Sequence, residues 1–140
     1  MGKILCATRG GEASYRTQDQ AIALARQRGD SLIFLYVIDT HFLDKTAAPI
    51  VVDVGNQLQN MGGFLLAMAQ ERAEGEGVPV QCICRPGRVR DEIKAVAREE
   101  KVDLVVLGRP AGEANAFAME ELRAFATEIE AETGSQVEIV

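Results

Sequence analysis

The chain has 140 residues and a mass of 15.2 kDa, which suits a single domain over residues 1–140 and is too short for two of ordinary size. Apolar residues make up 47% and charged residues 26%, the balance of a globular chain rather than a disordered one. With 15 Lys and Arg against 21 Asp and Glu the net charge is −6, so the chain lacks the positive field that non-specific binding to nucleic acid or an anionic membrane requires.

No apolar run approaches the ~20 residues of a membrane-spanning helix. The opening Met1-Gly2-Lys3-Ile4-Leu5-Cys6 has no signal-cleavage pattern, so a cytoplasmic protein is expected. Three cysteines do not make a disulfide framework. Cys82-Ile83-Cys84 has i, i+2 spacing instead of the two-residue gap of a zinc or redox knuckle. The three are read as small apolar side chains on strands, and no metal is expected.

Lys3 to Thr8 is a short apolar run stopped by Arg9-Gly10-Gly11, a strand signal. From Glu12 to Arg28 the pattern is helical. Ala21, Ile22, Leu24 and Ala25 share one face, while Gln18, Asp19, Arg26 and Gln27 share the polar one. Gly29 stands where a helix-terminating glycine belongs. Leu32 to Ile38 is unbroken apolar sequence, which predicts a strand covered on both sides and hence a parallel sheet. Residues 40–55 mix signals and read as a loop with an extended piece.

A second helix is predicted from about Asn56 to Ala73, with Leu58, Met61, Leu65, Met68 and Ala69 inward. Gly62-Gly63 inside it costs about 1 kcal/mol per glycine, which close packing against a neighbour would offset. Val78 to Cys84 reads as the third strand, Val89 to Glu100 as a helix, and Asp103 to Leu107 as the fourth strand. A last helix, Ala114 to Glu132, buries Ala118, Leu122, Phe125, Ala126 and Ile129. With Glu113 just before it, the helix region carries Glu113, Glu120, Glu121, Glu128, Glu130 and Glu132 against Arg123, read as a solvated acidic face or, alternatively, as a docking surface for a basic partner. Val137 to Val140 is the terminal strand. Five strands alternating with four helices give a doubly wound parallel sheet with helices on both faces. Ligands of such sheets sit at the carboxyl ends of the strands.

The segments KILCATRGGEAS (residues 3–14), LIFLYVID (32–39), GVPVQCICRPGRVRDEI (77–93) and VDLVVLG (102–108) resemble, in order and spacing, those of the universal stress protein family. The resemblance implies an adenine nucleotide alpha hydrolase-like fold with strand order 3-2-1-4-5. It also implies a homodimer paired through the last strand, with Val137, Ile139 and Val140 at the contact. ATP-binding members of that family carry G-x2-G-x9-G-(S/T) after the fourth strand. Here Gly108 and Arg109 are followed by Ala111 in place of the second glycine, and Glu121-Leu122 stand in place of the final pair. The loop-one aspartate of the family is Arg9 here. What carries over is Gly108, together with Val37, whose backbone would line an adenine pocket.

The resemblance therefore implies a binding or regulatory module of the stress response without robust ATP binding and without a resident cofactor. The alternatives are a divergent member that binds ATP or AMP or hydrolyses ATP slowly, and a protein whose dimer surface is its working part. Arg9-Gly10-Gly11-Glu12-Ala13-Ser14 also approaches the S-G-G-x-D-S loop of ATP pyrophosphatases, but Arg9 and Ala13 break that pattern.

Arg9, Arg85, Arg88, Arg90 and Arg109 all follow strands. With the amides of Gly10 and Gly11, Arg9 and Arg109 would form an anion pocket between strands 1 and 4. In the other reading these are loop arginines paired with neighbours such as Asp91 and Glu113. Asp39 and His41 follow strand 2 at the same end of the sheet. Neither a nucleophile elbow nor a carboxylate pair points to catalysis.

Overall fold

The computed structural model describes residues 2–8, 12–38, 48–109 and 115–140, with the backbone alone for residues 12–14, 48–56, 58 and 115–118. Strands β1 (Lys3–Ala7), β2 (Ser31–Ile38), β3 (Val80–Pro86), β4 (Leu104–Leu107) and β5 (Gln136–Ile139) alternate with four helices. These are α1 (Glu12–Arg28), α2 (Ala48–Gly75), α3 (Val89–Glu99) and α4 (Asn115–Thr133). The sheet order is β3-β2-β1-β4-β5, as the family resemblance implies, and every pairing is parallel, as the apolar pattern predicts.

Side chains alternate across the pleat and build two cores. Ile4, Cys6, Leu32, Phe34, Tyr36, Leu104 and Val106 face α1 and α2. Leu5, Ile33, Leu35, Val105 and Leu107 face α3 and α4. Both faces of the central strands are covered, which explains why Leu32 to Ile38 carries no polar residue.

Three sequence expectations change. The segment read as loop up to residue 55 is helical from Ala48, because Pro49 falls in the first turn, where its missing N–H has no helical partner to lose. The inward stripe of α2 is Gly62, Leu66, Ala69 and Ala73; of the residues predicted inward, Ala69 is buried, Leu65 packs on the core and Met68 is half-buried, whereas the side chain of Leu58 lies outside the described residues. Met61 and Phe64 are instead 51% and 67% exposed. Gly62 sets this phase, since a Cβ there would lie 2.5 Å from Tyr36 Cδ1. The glycine lets the helix press onto the Tyr36 ring, and larger apolar neighbours then turn outward. The third change is Gln18, placed on the polar face of α1 by its chemistry but only 2% exposed.

The acidic side of α4 is partly paired across to α3. Lys94 Nζ lies 2.7 Å from Glu132 and 3.1 Å from Glu128, and Arg90 lies 3.8 Å from Glu121. Both cations also stand over the Phe125 ring. The hydrogen bond from Lys94 holds Glu132 below its usual range, and the same bond raises Lys94. The cysteines lie on strands as expected. Cys6 is buried, and burial pushes its thiol up to about 12. Cys82 is half-buried against α2 and Cys84 is exposed.

Two predictions follow from this packing. Gly62→Ala should lose about 1–3 kcal/mol by overpacking onto Tyr36. Gly63→Ala, where a Cβ meets nothing within 4 Å, should gain about 0.5–1 kcal/mol from helix propensity. Equal effects in urea melts would refute this account of the α2 phase. In the second, Lys94→Met should alter both pH limbs of thermal stability. A lowered carboxyl contributes stability above its ordinary 4.5 and loses it as pH falls through the folded value, so the variant's acid limb should be shallower. A raised lysine contributes below its ordinary 10.5 and loses it as pH rises past that, so the variant should also lose less on the alkaline side. Superimposable melting-temperature profiles would count against the bridge.

Candidate functional site

The sheet order leaves β1 and β4 adjacent, with connections leaving to opposite faces, so their carboxyl ends frame the crevice of a doubly wound fold. The last paired residues there are Cys6 and Val106. Two residues beyond them stand Thr8 and Gly108. The Thr8 N–H donates to Leu35 O at 2.8 Å, which carries the β1–β2 ladder one step past the strand. A Cβ on Gly108 would run into Thr17 Oγ1 of α1, so the glycine is required for β4 to end this close to the helix. Arg109 follows with an exposed side chain. Its N–H donates to Val140 O at 2.9 Å, tying the loop start to the end of β5.

Of the sequence-named site residues, Gly108 and Arg109 stand at this crevice. Arg9, Gly10, Gly11, Asp39 and His41, like Ala111 and Glu113, lie outside the described residues. Val37 pairs in register with Arg85 and sets its half-buried side chain against the α3/α4 core. The positions that match the family's last phosphate-loop pair, Glu121-Leu122, lie within α4. Leu122 packs into the core there, and Glu121 faces Arg90.

Arg85 and Arg90 are engaged away from the crevice. β3 is the far edge strand, separated from β1 by β2. Arg85 on β3 is held by Glu99 at 2.6 Å and Glu92 at 2.9 Å, local carboxylates of the kind expected to pair with loop arginines, while Glu113 lies outside the described residues. The hydrogen bond from Arg85 lowers Glu99 and raises Arg85 itself. The Glu92 Oε2 contact is an ion pair without hydrogen-bond alignment, since that buried oxygen has no hydrogen-bond partner. Arg90 belongs to the α3–α4 contact. Ser135, beside Gly134, donates to Val102 O at 2.6 Å and so lies at the opposite, amino end of the strands.

Sequence reasoning missed the polar chain behind the crevice. Gln18 Nε2 donates to Thr8 Oγ1 at 2.6 Å, and Arg72 Nη1 of α2 donates to Gln18 Oε1 at 2.7 Å. Arg72 also pairs with Asp19 and stands 5.1 Å from the Tyr15 ring centre. A signal was available. Gln18 lies three, four and seven residues before the buried Ala21, Ile22 and Ala25, so helical spacing places a polar side chain on the core stripe.

The family model of the Universal stress protein family matches residues 1–133. The universal stress protein YxiE of Bacillus subtilis (strain 168) is 27% identical over 122 residues, covering 76% of this chain and 77% of its own length. A solved universal stress protein in complex with cAMP superimposes with a TM-score of 0.73 at 24% identity, over 99% of this chain and 96% of that one. A universal stress protein family member from Arabidopsis thaliana with AMP bound gives 0.68 at 14% identity, over 100% and 91%. At these identities the two structures establish the shared fold.

Proposed function

The chain belongs to the universal stress protein family, and from that premise we propose that it is a binding and regulatory module of the stress response. It takes a small phosphate-bearing ligand at the β1/β4 crevice, does not hold ATP through the family's phosphate loop, and pairs as a homodimer along the outer edge of β5.

The observation that carries this reading is the placement of Glu121-Leu122 in α4. A glycine-rich phosphate cradle works by offering backbone amides at close approach. Within a helix those amides are already bonded four residues back. With Ala111 in place of the second glycine as well, two parts of the triphosphate cradle are missing. A monophosphate asks for less. The relatives with cAMP and AMP bound hold ligands with a single phosphate. Gly108 and the exposed Arg109 remain at the crevice, and the proposal assigns the other wall of the anion pocket to Arg9 and the amides of Gly10 and Gly11, which lie outside the described residues.

Edge geometry supports the dimer. The N–H groups of Gln136 and Val140 go to Asp103 O and Leu107 O of the β4 side, each at 2.9 Å. Alternation then turns the N–H groups of Val137 and Ile139 outward, where a second copy's edge would accept them. Val137 and Ile139 pack their side chains on the α3/α4 core and Val140 on the other, so the pairing runs through the backbone.

Isothermal titration should show heat with AMP or inorganic phosphate and binding of ATP no tighter than AMP. Arg9→Ala/Arg109→Ala should abolish both signals. Silence with every ligand refutes the crevice reading, and adenosine triphosphate recovered by acid extraction of the pure protein refutes the claim about the loop. Light scattering should give a dimer at tens of micromolar for the native chain. Val137→Pro removes one outward donor and leaves the β4 ladder whole, so it should give a monomer with little change in melting temperature. A native monomer with no concentration dependence would remove the β5 interface.

A further inference from the structure

The direction of the hydrogen bonds behind the crevice is fixed by chemistry. Arg72 has five N–H donors and no acceptor, so the oxygen of the Gln18 amide must face it, at 2.7 Å. The nitrogen of the same amide must then face Thr8 Oγ1, at 2.6 Å. Turning the amide over would set its NH2 against the guanidinium and lose that bond. Arg72 is itself held in place by Asp19 and the Tyr15 ring. Thr8 oxygen is therefore an acceptor in this chain, and its own proton has to go elsewhere.

With its oxygen accepting from Gln18, the hydroxyl of Thr8, a residue only 4% exposed, keeps its proton for a second partner. A buried hydroxyl donor needs an acceptor. Thr8 is also placed where a ligand would meet it. It matches Gly108 across the β1/β4 seam, two residues past the last paired positions, and alternation turns both toward α1. The leucine carbonyl that holds its N–H fixes its backbone there.

We propose that the Thr8 hydroxyl donates a hydrogen bond to a phosphoryl oxygen bound in the crevice, and that Gln18 and Arg72 are positioning residues that keep it a donor. A phosphoryl oxygen is an acceptor with no competing proton, and the exposed Arg109 beside Gly108 complements its charge. The assignment rests on the crevice reading above and adds to it the group that selects the ligand, with a relay that ties that group to α2.

The test is titration of AMP, inorganic phosphate and adenosine into the native chain, Thr8→Ser, Thr8→Val and Arg72→Met. Thr8→Val keeps the branched shape and deletes the donor, so AMP and phosphate should bind about tenfold more weakly, as for one lost hydrogen bond to a charged group. Thr8→Ser should stay within about twofold, since it retains that bond. Arg72→Met releases the amide and should fall between the two, and adenosine should respond to none of them. A folded Thr8→Val protein that binds AMP and phosphate like the native chain overturns the assignment and leaves the crevice reading standing. An equal loss for adenosine overturns the phosphoryl contact. A native chain that binds neither anion refutes the crevice reading and this inference with it. Should Thr8→Val fail to fold, unchanged affinity in Arg72→Met is the overturning result.

Discussion

Ile4, Leu5 and Cys6 of β1 and Leu32 through Leu35 of β2 are closed to solvent on both faces of the sheet. Each such side chain is worth about 1.5–3 kcal/mol when fully buried, but only if an element lies above it and another below. Parallel strands meet that demand because each connection must cross a face to return to the same end. The order β3-β2-β1-β4-β5 follows, with the least polar strands at the centre and the half-exposed β3 and β5 at the edges. The same order brings all carboxyl ends to one rim and parts the connections between β1 and β4. The crevice is thus a by-product of covering two strands twice.

The two rims differ in how their polar groups are used. At the amino end side chains close the backbone. Gly2 N–H goes to Asp30 Oδ1 at 2.9 Å and Lys3 N–H to Asp103 Oδ2 at 2.8 Å, while Ser135 takes the Val102 carbonyl. At the carboxyl end the chain from Arg72 through Gln18 finishes on a threonine oxygen, and what it delivers is a donor. A side-chain network at the amino rim consumes donors and acceptors in place. The network at the other rim passes donor character from α2 to the seam of the sheet, which is consistent with a rim built for stability and a rim built for binding.

Much of this was legible in the sequence. The unbroken Leu32 to Ile38 run gave two-sided burial, and β–α alternation gave the layers. The Gly62-Gly63 pair calls for a close neighbour, and Tyr36 is that neighbour for Gly62, while Gly63 faces open space. What could not be read was decided by tertiary contact. The phase of α2 depends on contact with a ring that lies far back in the chain, on β2, not on which of Met61 or Leu66 is more apolar. Gln18 looks like a surface residue until Thr8 and Arg72 come to it from two other elements. Arg85 looks like a loop cation until sheet order sends β3 to the far edge, where Glu92 and Glu99 hold it. Local pattern reports which face a residue prefers, whereas the partner of a polar group is a long-range fact.

The departure from the family's phosphate loop is built into packing and is not a matter of single residues. Leu122 lies on the α4 stripe with Phe125, Ala126 and Ile129, against the sheet. A Gly-Ser pair at 121 and 122 would give up helix propensity in the helix interior, roughly 1 kcal/mol for the glycine alone. It would also remove the apolar contacts of the half-buried Leu122, worth less than the ~2–5 kcal/mol of a fully buried leucine, and the Glu121 contact with Arg90. A change of Ala111 to glycine leaves all of that untouched. The stability of α4 and a triphosphate cradle at these positions therefore exclude one another. With this segment committed to the core, the part of the crevice that its packing leaves alone is Gly108 against Thr17 and the hydroxyl of Thr8 beside it, which is where the proposed ligand would be held.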